Sequence, residues 1–168
     1  SRRRTELHQS VMDWVLAKKH QYGLDGPLHI LEVGSYNVNG SVRTLFDQTN
    51  YLGIDIVEGP GVDRVVRQDP FDSFWNGVTD GFDLVVSTEM LEHDRRPWVS
   101  LKEMWMVLKL GGLLLVTARG NGFGDHNPPD RFRFMEQGFH DIIEDAGFEV
   151  LEVTADPQAQ GWFGVGRK

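Results

Sequence analysis

Several carboxylates and glycines in this chain sit where binding chemistry needs them. Glu32 lies inside the apolar run Leu28-His29-Ile30-Leu31-Glu32-Val33. A carboxyl group in such a run requires a hydrogen-bonding or ionic partner. The segment Gly34-Ser35-Tyr36-Asn37-Val38-Asn39-Gly40 follows at once. Gly34 permits a close backbone turn, while Asn37, Asn39 and Gly40 tolerate unusual φ values. Asp55, with Ile56 beside it, comes about 20 residues past Gly34, and a carboxylate at that spacing suits a ribose diol. Asp69-Pro70 follows a third candidate strand, and Ser87-Thr88-Glu89-Met90-Leu91-Glu92-His93 follows a fourth.

The last such group is Asp125-His126-Asn127-Pro128-Pro129-Asp130-Arg131-Phe132-Arg133-Phe134. His126 has the chemistry of a general base toward an acceptor hydroxyl, with His93 as the second candidate. Arg131 or Arg133 can hold a carboxylate or phosphate. The competing reading is that Asp130 and Arg133 pair with each other and staple the loop. Asp125, His126 and Asp130 are of cation-ligating types, but no ligand spacing supports a site. No metal is expected.

The surrounding pattern alternates strands and helices. Leu7, Val11, Trp14 and Val15 recur at helical spacing, within a helical cap expected over residues 1–27. Strands are expected at 28–33, 51–56, 64–67, 82–87 and 113–118. The apolar stripe Val42, Leu45, Phe46 predicts a helix after the first strand. Pro97, Trp98, Leu101, Trp105 and Leu108 predict another, with Trp98 and Trp105 in the core and Gly111-Gly112 as its stop. Phe139, Ile142, Ile143 and Ala146 mark the last helix. Residues 148–154 and 162–166 can pair as an antiparallel hairpin around the Asp156-Pro157 turn. The segment between the second and third strands is too short for a full crossover helix.

Continuous apolar strands separated by amphipathic helices imply an α/β fold. The expected form is a Rossmann-like doubly wound sheet of about seven strands. It is mostly parallel with an antiparallel C-terminal strand, and helices cover both faces. Ligands bind beyond the carboxyl ends of such strands, where the residues above cluster. Residues 119–135 form a long loop rich in Gly, Pro, Asn and Asp that can reach over that end, and long loops of this kind are often functional. One domain is expected across residues 1–168.

The 168 residues carry 17 Lys+Arg against 25 Asp+Glu, a net charge of −8, and no cysteine. Disulfide scaffolds, Cys-ligated zinc, iron–sulfur clusters and thiol nucleophiles are excluded. The acidic balance disfavours a nucleic-acid partner. No apolar run reaches the roughly 20 residues that span a bilayer, and a cytoplasmic location without membrane association is expected.

Four stretches resemble class I S-adenosylmethionine-dependent methyltransferases. They are Ile30-Leu31-Glu32-Val33-Gly34-Ser35; Gly53-Ile54-Asp55-Ile56; Phe82-Asp83-Leu84-Val85-Val86-Ser87 with Met90-Leu91-Glu92-His93; and Leu108-Lys109-Leu110-Gly111-Gly112-Leu113-Leu114-Leu115. Their order and spacing match the family from about residue 28 to the C-terminus. The family often has three closely spaced glycines in its first motif. Here Tyr36 and Val38 take the second and third positions and the next glycine is Gly40.

The resemblance implies S-adenosylmethionine as cofactor and assigns roles. Glu32 orients the methionine moiety, and Gly34, with Ser35, Tyr36 and Gly40, forms the loop that approaches it. Asp55 accepts the ribose hydroxyls, Ile56 packs on adenine, and Asp69, with Pro70, receives the adenine amino group. Ser87 and Glu89 line the reactive end. The loop segment also resembles one in small methyltransferases of glycan or cell-surface biosynthesis, which places Asp130 and Arg133 beside the acceptor. The expected reaction is methyl transfer to an oxygen or nitrogen of a small-molecule or glycan-type acceptor. Two alternatives stay open: a nicotinamide-dependent oxidoreductase, which lacks its G-x-G-x-x-G fingerprint here, and a non-catalytic S-adenosylmethionine-binding module. Oligomeric state is not readable from the sequence.

Overall fold

The structure is a computed structural model and describes residues 9–38, 40–67, 75, 78, 80–121 and 129–168. Seven strands form one sheet: β1 (Ile30–Val33), β2 (Tyr51–Asp55), β3 (Arg64–Val65), β4 (Phe82–Thr88), β5 (Leu108–Arg119), β6 (Glu149–Ala155) and β7 (Gly161–Arg167). Their spatial order is β3-β2-β1-β4-β5-β7-β6. All pairings from β3 to β5 are parallel, whereas β7 runs antiparallel to both β5 and β6. The expected Rossmann-like sheet with an antiparallel closing strand is therefore present. Strand order reverses between β1 and β4, which makes the gap beyond their carboxyl ends the topological switch point of the sheet.

The strand pleat divides the core into two layers. On one face, Ile30, Leu84, Val86, Leu113 and Leu115 pack against Val11 and Val15 of α1 (Gln9–Gln21), together with Val42 and Phe46. On the other, Leu31, Val85, Leu114 and Val116 pack against α2 (Pro97–Val107) and α3 (Glu136–Asp145) through Leu101, Met104, Phe139 and Ile143. Helices thus cover both faces.

Local chemistry shifts several expected boundaries. The helix expected around Val42, Leu45 and Phe46 is a single 3-10 turn over Val42–Leu45. Ser41 caps it by accepting the Arg43 amide, and Phe46 is already extended. The Gly111-Gly112 pair does not stop α2, which ends at Val107, and the strand starts at Leu108. Phe82 pairs with Leu108 and Leu84 with Leu113, so the glycines sit in a bulge at the start of β5. Gly111 adopts φ +79 there and donates its amide to the Lys168 carbonyl. Trp98 is not in the core: it is 51% exposed and meets the Phe132 ring edge-on. Trp105 does pack against the core.

Between β2 and β3 the chain makes only a turn. The Val62 amide donates to the Gly59 carbonyl, and the Asp63 amide donates to the Gly53 carbonyl. Glycine at position 53 makes room for this turn and for Ser35, because a Cβ there would stand 2.8 Å from Ser35 Oγ.

Candidate functional site

The residues that follow β1 leave the sheet by a sharp turn. Gly34 adopts φ +79, and a Cβ on it would lie 2.6 Å from Cγ of Met90. Both the backbone conformation and the packing therefore require glycine. The amides of Gly34 and Ser35 both donate to the Ile54 carbonyl, and the Asn37 amide donates to Pro60. These bonds tie the β1 loop to the end of β2 and to the turn behind it. Ser35 is buried, and no partner of its hydroxyl occurs among the described residues. Gly40 takes φ +131 and donates its amide to Asn37 Oδ1.

Asp55 ends β2 and holds this loop. Its Oδ2 accepts the Tyr36 amide at 3.1 Å, and its Oδ1 accepts the Ile56 amide at 2.7 Å. The neighbouring Ile56 is 70% exposed, and Tyr36, Val38 and Val57 are exposed too. An apolar rim thus surrounds a carboxylate at the strand end.

Glu32 lies under this loop, buried within β1. Tyr51, at the start of β2, donates its hydroxyl to Glu32 Oε2 at 2.8 Å. Burial outweighs that bond and pushes the Glu32 carboxyl up to about 7. The partner that an acid in an apolar strand requires is therefore a phenol, and the Arg43 guanidinium stacks on its ring.

A second group of charges gathers at the ends of β4 and β5. Ser87 is fully buried and donates its hydroxyl to the Val33 carbonyl at 3.0 Å, joining β4 to β1. Glu89 follows with φ 51, the sole positive φ of a non-glycine among the described residues. Such backbone costs about 1–2 kcal/mol and persists where the surroundings enforce it. Here Thr117 accepts the Glu89 amide and Arg119 pairs with its carboxylate at 2.9 Å. Burial raises the Glu89 carboxyl above its ordinary range.

Glu92 is fully buried, and no other described residue donates a hydrogen bond to either of its oxygens. Arg119 Nε stands 3.9 Å from it. Burial pushes this carboxyl up to about 8. Next to it, His93 Nδ1 lies 3.0 Å from Asp130 Oδ1, and Arg133 Nη2 pairs with Asp130 Oδ2.

The structure brings Glu32, Gly34, Ser35, Tyr36, Gly40, Asp55 and Ile56 together around the β1 and β2 ends. It brings Ser87, Glu89, His93, Asp130 and Arg133 together around the β4 and β5 ends. Met90 joins the two groups through its contact with Gly34. Asp69, Pro70, Asp125 and His126 lie outside the described residues. Two participants were not singled out in the sequence, Arg119 and Tyr51. Arg119 terminates an apolar strand and is itself buried, and a cation in that position was a readable signal. Tyr51 was hidden because it lies one strand away, diagonal to Glu32 in the parallel register.

A family model described as a methyltransferase domain matches residues 33–116, half of the chain. No curated sequence matches the chain. Among solved structures, it is similar to the 1,6-didemethyltoxoflavin-N1-methyltransferase of Burkholderia thailandensis, solved with bound 1,6-didemethyltoxoflavin and S-adenosylhomocysteine. That match has a TM-score of 0.70 at 18% identity and covers 94% of this chain and 78% of that one. An S-adenosylmethionine-dependent methyltransferase from Aquifex aeolicus aligns with a TM-score of 0.63 at 20% identity, covering 99% and 93% of the two chains. The [4+2]-cyclase SpnF aligns with a TM-score of 0.70 at 17% identity, covering 98% and 84%. At these identities the structural likeness establishes the fold, and a cyclase among the neighbours shows that this fold alone does not specify a reaction.

Proposed function

The chain belongs to the methyltransferase domain family and is an S-adenosylmethionine-dependent methyltransferase, and we propose that it moves the methyl group to an oxygen or nitrogen of a small-molecule or sugar-like acceptor. The observation that carries the cofactor assignment, on which this proposal builds, is the end of β2. Asp55 presents its carboxylate beside the exposed Ile56, one strand from the left-handed turn at Gly34. A carboxylate, an apolar side chain and a close-approach glycine fit the ribose, adenine and methionine parts of the cofactor. When bound, S-adenosylmethionine supplies a methyl group on a positively charged sulfur that is a good leaving group.

The chain's own contribution is then placement. Asp55 would accept the ribose hydroxyls, Ile56 would cover adenine, and Asp69 and Pro70 would complete that side. Glu32, Gly34, Ser35, Tyr36 and Gly40 would hold the methionine end, and Ser87 and Glu89 would line the reactive end. Asp130 and Arg133 would stand on the acceptor side, with His126 or His93 to take a proton. Alignment of two reactants can lower a barrier by about 7–11 kcal/mol in favourable cases, so a small chain without elaborate acid–base machinery suffices. Residues 1–168 would form one domain, with residues 1–27 as a helical cap and residues 119–135 as cover over the strand ends. No helix among the described residues is long and apolar enough to cross a membrane.

Calorimetry with S-adenosylmethionine, S-adenosylhomocysteine, NAD and NADP tests the cofactor assignment, with saturable binding of the first two alone expected. Binding of a nicotinamide dinucleotide instead would favour an oxidoreductase. A screen of small hydroxyl and amine acceptors with methyl-labelled cofactor tests the acceptor class. Cofactor binding without transfer to any acceptor would favour a non-catalytic binding module.

A further inference from the structure

Glu32 is 4% exposed, and the group that meets it is uncharged. Its in-register neighbours are Gly53 on β2 and Val86 on β4, and neither can donate from a side chain. Tyr51, two residues before Gly53 and itself buried, reaches across and donates its hydroxyl to Oε2 at 2.8 Å. No other described residue donates to Glu32, so Oε1 is left for a ligand. The phenol does not titrate in place of the acid: burial and the neighbouring carboxylate push Tyr51 far above its ordinary range.

The charges around this pair do not neutralise it. Arg43 faces it from the 3-10 turn, with its guanidinium carbon 4.8 Å from the centre of the Tyr51 ring. Arg43 also pairs with Asp63 at 2.7 Å, and Asp63 accepts the Gly53 amide. The one cation beside the phenol is therefore already offset by a carboxylate. Asp55, at the end of β2, adds further negative charge. From α1, Lys19 stands over Phe46, the ring beside Tyr51. Between Gly34 and Gly40 the loop carries no charged residue. A buried carboxyl with a neutral donor and no cation of its own favours the protonated form. An ammonium brought against it reverses that preference.

We propose that Tyr51 is a positioning residue of the cofactor site: its hydroxyl fixes Glu32 with Oε1 toward the methionine end, and docking of the cofactor's ammonium there expels the carboxyl proton. The inference rests on the methyltransferase reading, with Glu32 at the methionine end, and makes cofactor capture depend on proton release. The Glu32 O–H bond breaks and its proton passes to water. The carboxylate left behind accepts a hydrogen bond from the ammonium while still accepting the phenol. S-adenosylmethionine and S-adenosylhomocysteine both carry that ammonium, so capture and product release answer to pH alike.

Calorimetry of the full chain from pH 6 to 8.5, in buffers of different ionisation enthalpy, tests this. With Glu32 titrating near 7, its ionised fraction rises from about a tenth at pH 6 to about nine-tenths at pH 8, so S-adenosylhomocysteine affinity should rise roughly tenfold with proton release. 5′-Methylthioadenosine, which lacks the amino-acid part, should bind without that rise, as should S-adenosylhomocysteine to Glu32→Gln. Tyr51→Phe removes a donor that favours the carboxylate and should move the Glu32 titration up by roughly one pH unit. Affinity should then fall roughly fivefold at pH 7 and return to within about twofold of the unmodified chain at pH 8.5, a recovery that a merely structural defect would not show. Carbon-13 NMR of the Glu32 carboxyl reads the same shift without any ligand. A Glu32 midpoint near the ordinary 4.3 overturns the proposal. So does an equal rise with 5′-methylthioadenosine or in Glu32→Gln, or a Tyr51→Phe deficit that is the same at every pH. In each case the methyltransferase reading stands. Absence of S-adenosylhomocysteine binding at every pH counts instead against that reading.

Discussion

Replacing Asp55 with alanine separates two jobs that its carboxylate can do. Its Oδ2 accepts the Tyr36 amide, and its Oδ1 accepts the Ile56 amide with a longer bond from Val57 at 3.4 Å. A carboxylate offers about four lone-pair positions; one on Oδ2 stays open and one on Oδ1 is held only by the long Val57 bond, so a ligand diol can take the first and displace Val57 from the second. Two hydrogen bonds to a charged acceptor contribute about 1.5–3 kcal/mol each. Their loss corresponds to a weakening of roughly 10²- to 10⁴-fold, at about 1.4 kcal/mol per tenfold. The two stronger amide bonds are exposed, and their loss should cost about 0.5–1.5 kcal/mol each. At about 2–4 °C per kcal/mol for a chain of this size, Asp55→Ala should lower Tm by roughly 2–12 °C. Calorimetry with S-adenosylhomocysteine, run well below both transitions, reads the first effect, and a thermal melt reads the second. A Tm drop in this range with affinity reduced less than about tenfold would refute the ligand role and leave Asp55 as a loop clamp. An unchanged Tm would refute the lone-pair argument itself.

Gly34→Ala should destabilise the chain by about 2–5 kcal/mol in urea denaturation, combining left-handed strain with overpacking against Met90. Adding Met90→Gly removes the steric part, so the double variant should show a favourable coupling between the two sites; additive effects would count against the contact. Tyr51→Phe should cost about 1–3 kcal/mol by stripping the hydroxyl from buried Glu32, with a stability equal to the unmodified chain as the contrary result. Glu92→Gln tests the buried acid. Its carboxyl titrates near 8 when folded but near 4.3 when unfolded, so the folded state binds the extra proton between those values. Stability of the unmodified chain should therefore fall as pH rises from about 5 to 8, and the variant should show a shallower slope there. Glu32 titrates in an overlapping window in both proteins, so the comparison between them isolates Glu92; parallel slopes would refute the assignment.

The sheet was legible because its central strands are short apolar runs, and a parallel strand buried on both faces looks like that. β1, β2 and β4 fall within about two residues of where periodicity places them. The misplacements have local causes. The turn at Val42 stays short because Ser41 caps it and Phe46 leaves the helical region at once. The Gly111-Gly112 pair reads as a helix stop by composition, yet both glycines lie within β5, where their freedom serves a bulge. Trp98 has helical spacing with Leu101 and Trp105, but it stands in the first turn of α2, where Phe132 covers only part of it. Spacing reports which face a residue occupies, and whether that face is covered depends on a segment more than thirty positions away.

The same distinction separates the two halves of the candidate site. The β1 and β2 half is built from residues at strand ends, and strand ends are where local sequence is most informative. Gly34 and Asp55 could be found because each has a backbone or charge requirement of its own. The β4 and β5 half is built from charges that make sense only in combination. Glu89, Glu92 and Arg119 are unremarkable singly, yet together they place two acids around one buried guanidinium. That imbalance has a consequence. Burial drives Glu92 toward the neutral form, and Arg119, which pairs closely with Glu89, offsets that only from a distance. Asp130 instead pairs with Arg133 of its own segment, three residues on. One acid thus has a guanidinium from its own segment while the other only borders a shared one, a difference in environment that neither residue's identity announces.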